Sequence, residues 1–290
     1  MKNIIFDGLG FIHSPLDRRA GIRTTGIDLL AGKKAFIFVE ADRACVQDQK
    51  IKYFQDVSNF SSVTEPVFLG LLPDQLAVFA VGVENIGGDW PDLRSLASSG
   101  EISAAELSIL AQARSLINWH VRHGFCANCG KPTQAADYGL KRICASCGAE
   151  HFPRTDPVVI LTVTHGSKIL LGRGLQFPEN LYSALAGFME PGETIEQAAY
   201  RELVEETGIR AKNLTYVASQ PWPFPSSLMI GLVGEAENDE IIIDPNELAD
   251  ARWFSKADVE SLLLGQNAQY LAPKKHAIAH HLLRFALAKL

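Results

Sequence analysis

The sequence predicts an α+β protein in three parts: a small β-rich amino-terminal domain (residues 1–121), a cysteine ribbon (122–155) and a larger layered domain (156–290). Three observations carry this. Short apolar β-rich runs separated by glycine-bearing polar stretches fill about the first 95 residues, and four of the five cysteines fall within 22 residues. Beyond the cysteines, strands and helices are mixed in the order expected of a sheet covered by helices. With 290 residues, 47% hydrophobic and 21% charged, the chain can bury more than one core, which excludes disorder and fibrous structure.

In the first part, Ala35–Val39, Val67–Leu72 and Leu76–Val83 read as strands. Ser103-Ala-Ala-Glu106 spells a capping box, and Leu107, Leu110, Ala111, Leu116 and Ile117 fit one face of a helix running to about His120. Cys45 stands alone and reads as a small buried apolar residue. The second part holds Cys126-x-x-Cys129 and Cys144-x-x-Cys147, with Gly130 and Gly148 each one residue past a knuckle, where a tight turn needs positive φ. Two such knuckles bring four thiolates to one soft cation, zinc above all. Four cysteines fill its tetrahedral shell, so the zinc is structural.

In the third part, Pro157–Val163 and Lys168–Arg173 read as strands, and Leu181–Phe188 leads into a glycine-rich loop and a helix. Further strands are expected near Leu214–Ser219, Leu228–Glu235, Ile241–Asp244 and Ala251–Phe254, with helices near 256–264 and 274–288. His276, His280 and His281 read as surface or packing residues, since no carboxylate partner stands nearby in sequence.

The chemistry concentrates between Ala186 and Glu206, where six acids, Glu190, Glu193, Glu196, Glu202, Glu205 and Glu206, face one base, Arg201. Thr194-x-x-Gln197 starts a helix there and Gly208-Ile209 stops it, giving a span of about 195–207. On that helix Glu202, Glu205 and Glu206 project from one side while Ile195, Ala199 and Leu203 face a core. Carboxylates stacked this way repel each other. A hard divalent cation such as Mg²⁺ or Mn²⁺ removes the repulsion and commonly shares its oxygens with substrate phosphates.

Net charge of −6 leaves the whole chain without the positive field that non-specific nucleic-acid binders use, although Arg122–Arg154 carries five bases against two acids. No run of eighteen apolar residues occurs, and Asp7 and His13 come too early for a secretory apolar region, so no membrane partner and a cytoplasmic location are expected. Ala288-Lys289-Leu290 also resembles a peroxisomal address.

The string Gly187-x5-Glu193-x7-Arg201-Glu202-Leu203-x-Glu205-Glu206-x-Gly208-Ile209 matches all nine fixed positions of the 23-residue Nudix box. The resemblance implies an α/β/α sandwich with a mixed sheet and hydrolysis of a nucleoside diphosphate linked to another moiety. Thirteen residues after Glu206, Ser219-Gln-Pro-Trp-Pro-Phe-Pro-Ser-Ser227 holds two aromatic residues among three prolines, suited either to stacking on flat rings or to closing a core. Together with the four-cysteine ribbon upstream, it resembles the NADH pyrophosphatases, the NudC-type Nudix enzymes. That resemblance is strong from about Cys126 onward and weak over the first ninety residues or so.

The resemblance implies Mg²⁺ or Mn²⁺ on the carbonyl of Ala186 and on Glu202, Glu206 and Glu247, with Glu193 and Arg201 supporting them and Glu205 as first choice to take the proton of water, Glu247 remaining open. It implies substrate contacts at Phe152 (often tyrosine in relatives), Phe188, Gln220, Pro221, Trp222, Pro223, Phe224, Pro225, Ser226, Ser227 and Ala279, and an arginine from the amino-terminal domain matched by Arg94. Some relatives carry a ligand-reaching glutamate where Gly139 stands, with Asp137 as a substitute nearby. The expected activity is hydrolysis of NADH or NAD to AMP and nicotinamide mononucleotide by a homodimer, with NAD-capped RNA as a further substrate. ADP-ribose or dinucleoside polyphosphate hydrolysis is the alternative within the enzymes, and a nucleic-acid-binding zinc ribbon is the alternative outside them.

Overall fold

The computed structural model describes residues 7–18 and 32–290 and divides them into two compact units. One is built from the chain between Phe11 and Thr155 together with Trp222–Ser226. The other joins residues 7–10 to 156–221 and 227–290. The first six residues, part of the stretch read above for a leader, lie outside the described residues.

The amino-terminal unit contains β1 (Lys34–Glu40), β2 (Arg43–Ala44), a short hairpin of β3 (Val46–Gln47) and β4 (Lys50–Ile51), then β5 (Val67–Leu71) and β6 (Ala77–Gly82). Its main sheet runs β2-β1-β6-β5, with β1 parallel to β6 and the other pairs antiparallel. Strands buried on both faces need continuous apolar runs, which is what β1, β5 and β6 supply. On one face Ile37, Val39, Val78 and Ala80 pack with Leu107, Leu110 and Ile117 of α2 (Ala104–Arg122), while on the other Phe36, Phe38, Phe68 and Phe79 join Cys45. Ahead of α2 lies α1 (Leu93–Ser99), capped by Asp92 and ended by a left-handed Gly100. No apolar periodicity announces this helix, because only Leu93, Leu96 and Ala97 are buried.

Ser103 caps α2 as its spelling predicts, but Glu106 does not reach back to complete the box. Its carboxylate accepts from the Ile51 amide instead (2.8 Å). The ribbon strands β7 (Gln134–Ala136), β8 (Lys141–Ile143) and β9 (Glu150–His151) form an antiparallel sheet within this same unit. Phe68 N–H donates to the Tyr138 carbonyl (2.9 Å), and His120 bridges the Gly139 carbonyl (2.7 Å) and Arg142 (2.9 Å). The ribbon therefore packs with the domain before it, inside one compact unit.

The carboxy-terminal unit contains β10 (Asp156–His165), β11 (Lys168–Gly174), β12 (Leu185–Phe188), α3 (Ile195–Thr207), β13 (Ala211–Trp222), β14 (Ser227–Ala236), β15 (Leu248–Ser255), α4 (Lys256–Leu263) and α5 (Ile278–Leu287). Its mixed sheet runs β13-β14-β10-β11-β15, with β12 also paired to β10. Ala198, Ala199 and Leu203 of α3 pack against Val159, Leu161, Leu170 and Leu232 on one face. Ile278 and Leu282 of α5 close over Gly231 on β14, where a Cβ would meet both. Ile241–Asp244 is not a strand. Its Ile242 and Asp244 amides instead donate to the Thr207 and Glu206 carbonyls (2.9 and 3.3 Å), satisfying the open end of α3. Among the described residues no helix is long and apolar enough to cross a membrane.

Candidate active site

Helix α3 is set by local chemistry at both ends. Thr194 and Gln197 exchange side-chain bonds with each other's amides (3.2 and 2.8 Å), and Gly208 ends the helix at φ 69°. On β12, Gly187 lies beneath the Glu202 carboxylate. A Cβ there would overlap that carboxylate, so the strand can approach the helix only through glycine. Glu202, Glu206 and Glu247 each offer an oxygen within 4.8 Å of the others, although Glu247 arrives from the loop before β15. Ala186, expected as a backbone ligand, immediately precedes Gly187 on β12.

Burial first, and then the nearby Glu202 and Glu247 charges, push the Glu206 carboxyl up to about 8. Burial also raises Glu202, against the opposing effect of Arg201. The buried Oε2 of Glu206 has no hydrogen-bond partner. An all-oxygen cluster with mutual repulsion and an orphaned buried oxygen fits a hard divalent cation.

Arg201 organises the carboxylates around this cluster. Its Nε and Nη2 grip Glu193 (2.6 and 2.9 Å), its Nη1 donates to Glu202 (2.7 Å) and Glu205 (3.3 Å), and Nη2 also donates to the Phe188 carbonyl (2.9 Å). The guanidinium holds Glu193 down to about 2, aided by the Glu190 amide. Helical spacing puts Glu202, Glu205 and Glu206 on one side, but the structure separates them: Glu205, with a 53% exposed side chain, turns to Arg201 outside the triad.

In the ribbon, Cys126 and Cys147 sulfurs lie 3.6 Å apart and those of Cys129 and Cys144 3.5 Å. Zinc bound at about 2.3 Å in a tetrahedron needs sulfurs about 3.8 Å apart, so the four fit a structural zinc. Gly130 and Gly148 amides close the two knuckles onto the Cys126 and Cys144 carbonyls (both 2.9 Å) at φ 72° and 74°. Sequence reading missed the residues around the sulfurs: His151 Nε2 lies 3.3 Å from Cys126 Sγ, and Asn128 donates to Cys147 Sγ at 3.7 Å. No local signal marks either one.

The remaining candidates fall in different places. Phe188 is 61% exposed on β12, in the carboxy-terminal unit. There Gln220 is fully buried, and its amide is consumed by protein: Nε2 donates to the Gly10 and His276 carbonyls (3.0 and 2.6 Å), and Oε1 accepts from the Ile278 amide (2.8 Å). Gln220 thus caps α5, whose own N-cap Ala277 offers no side-chain bond. Ala279 is buried on that helix, Pro221 is exposed and Ser227 is half-buried. His280 and His281 are packing residues that bond the Pro273 and Lys275 carbonyls (3.0 and 2.7 Å).

In the amino-terminal unit, Trp222 and Phe224 meet each other and Phe11 edge-on (centroids 5.3 to 6.0 Å). The Arg94 guanidinium sits 3.9 Å from the Phe224 centroid. Arg114 donates to the Pro223 carbonyl and Ser115 to that of Pro225 (3.2 Å), with Ser226 half-buried beside them. This part of the string closes a core. Phe152 is exposed at the end of the ribbon, and Asp137 is ion-paired to Lys141 (3.2 Å).

Residues 153–275 match the NUDIX domain, 122–152 the NADH pyrophosphatase zinc ribbon domain and 29–119 the NADH pyrophosphatase-like rudimentary NUDIX domain. The chain is 45% identical over 195 residues to the NAD-capped RNA hydrolase NUDT12 of Homo sapiens, covering 63% of this chain and 42% of that protein, so it spans under half the length of that relative. It is 39% identical over 211 residues to the mitochondrial NAD(P)H pyrophosphatase NUDT13 of Mus musculus (69% and 59% covered). It is 36% identical over 225 residues to the NAD-capped RNA hydrolase NudC of Stutzerimonas stutzeri (strain A1501), with 78% and 75% covered.

Proposed function

We propose that this chain, which belongs to the Nudix hydrolase family in the branch carrying the NADH pyrophosphatase zinc ribbon, hydrolyses the pyrophosphate bond of NAD(H) to AMP and nicotinamide mononucleotide. NAD-capped RNA 5′ ends, which present the same bond, are a second substrate. The observation that carries this reading is the Glu202–Glu206–Glu247 cluster, with its orphaned Glu206 oxygen, beside glutamates held by Arg201. Mg²⁺ or Mn²⁺ would be held by these three glutamates, with the Ala186 carbonyl. When bound it lowers the pKa of water, neutralises diphosphate oxygens and stabilises the leaving phosphate.

The chain's own residues do the rest. Arg201 fixes Glu202 against Gly187 and keeps Glu193 ionised. Glu205, exposed and outside the triad, is the first choice to accept the proton of the attacking water, with Glu247 as the alternative. Phe188 presents a ring to a base or nicotinamide.

The decisive assay incubates the zinc-loaded protein with Mg²⁺ or Mn²⁺ and equimolar NADH, NAD, ADP-ribose and diadenosine polyphosphate, separating products by chromatography with mass detection. AMP and reduced nicotinamide mononucleotide appearing fastest support the proposal, and faster cleavage of ADP-ribose overturns it. Comparing capped RNA with NADH then ranks the two substrates. Homodimeric assembly and cytoplasmic residence belong to the same proposal and are checked by sedimentation and cell fractionation.

A further inference from the structure

The β11–β15 ladder ends beside the carboxylate cluster. Arg173 pairs with Asp250 but Gly174 pairs with Leu248, so Ala249 is an extra residue in β15. A bulge at a ladder's end bends the chain and re-aims the residues next to it, and Glu247 stands two positions before Ala249. The ladder ends there, and Leu175 and Glu247 are the next residues on its two chains, each in a turn. The chain then turns, the Phe177 amide donating to the Gly174 carbonyl (3.0 Å), which folds the Phe177 ring back over Gly174. Leu175 stays 55% exposed and Phe177 43% exposed. Two apolar side chains thus stay at the surface in the turn after β11, the strand paired next to Glu247, where an apolar part of a substrate can be received.

A dinucleotide cleaved at this cluster carries a nucleoside on each side of its diphosphate. Phe188, on β12, is one exposed ring available to it, and the turn after β11 offers a second apolar surface. We propose that Leu175 and Phe177 form a rim that receives one heteroaromatic ring and ribose of the substrate, making them specificity-determining residues; this rests on the NAD(H) hydrolysis proposed above.

Phe177→Ala, and the double change Leu175→Ser with Phe177→Ser, test the rim. Both side chains are exposed, so an unchanged melting transition is expected to confirm that the fold is kept. The expected result is a rise in KM for NADH of about tenfold with kcat within about twofold, the ratio that loss of one stacked ring gives. A rise for NADH with none for ADP-ribose identifies the ring as nicotinamide, and an equal rise for both identifies it as adenine. KM unchanged in the single and double variants overturns the rim. The wild-type rate on NADH tests the activity by itself; if the wild type prefers another substrate, the KM ratio is read on that one, and a wild type that cleaves neither NADH, NAD nor ADP-ribose removes both proposals.

Discussion

Replacing Glu206 by Gln should stabilise the protein in the absence of divalent cations while abolishing turnover. Burial raises the Glu206 carboxyl from 4.5 in the unfolded chain to about 8 in the fold. Between those values the folded state binds more protons than the unfolded one, so stability is full below pH about 4.5 and is lost as pH rises through about 8. At about 1.36 kcal/mol per pH unit, the loss is of order 3–5 kcal/mol. Glutamine has the same shape and never titrates, so Glu206→Gln escapes that loss. For a chain of this size, about 2–4 °C per kcal/mol puts the gain on the order of 10 °C at pH 8.5 in buffer free of Mg²⁺ and Mn²⁺, and near zero at pH 4.5. Calorimetric melts of zinc-loaded wild type and variant at the two pH values measure it directly. Saturating Mn²⁺ should then raise the wild type by about 3 kcal/mol at a hundredfold excess over Kd and the variant by much less, narrowing the gap. A variant that melts below wild type at pH 8.5 without metal would falsify the assignment of Glu206 as a desolvated carboxylate awaiting a cation.

Three further outcomes rest on the same geometry. Gly187→Ala places a methyl group in the Glu202 carboxylate, so metal affinity measured by titration should fall and turnover drop at least about tenfold, whereas near-normal rates would show that β12 can retreat. Gln220→Leu orphans two carbonyls and the Ile278 amide, costing on the order of 3 kcal/mol in a urea melt and speeding hydrogen exchange at Ile278; intact stability with a raised KM would return Gln220 to the substrate contacts. Cys144→Ser should reduce bound zinc from one per chain to a small fraction by metal analysis, and full retention of zinc would mean that three thiolates suffice.

Local chemistry decides how much of the fold and site is legible in the sequence. Helix α3 is readable to its ends because the capping box, the apolar stripe and Gly208 lie within one span and agree, and the cysteine knuckles are readable because each closes on its own glycine. Glu247 is not readable from spacing, since it meets Glu202 and Glu206 only through the sheet; resemblance alone points to it. Ile241–Asp244 alternates like a strand, yet its amides answer the open carbonyls of α3, a demand invisible along the segment itself. Gln220 misleads for the same reason: its partners Gly10 and His276 are 210 and 56 positions away, so a polar side chain in a ligand-like string is in fact a buried cap.

Gly139 makes the limit sharpest. Its sequence position suggests a lost glutamate, but its φ of 82° and the 3.0 Å that a Cβ would leave to the Val67 backbone make any side chain there displace β5. The glycine is therefore fixed by the packing of the ribbon against the sheet behind it. A side chain lost at that point cannot be restored by substitution alone: Gly139→Glu is expected to destabilise the amino-terminal unit before it can touch any ligand, and a stable, fully active Gly139→Glu variant would show that β5 yields where the packing says it cannot.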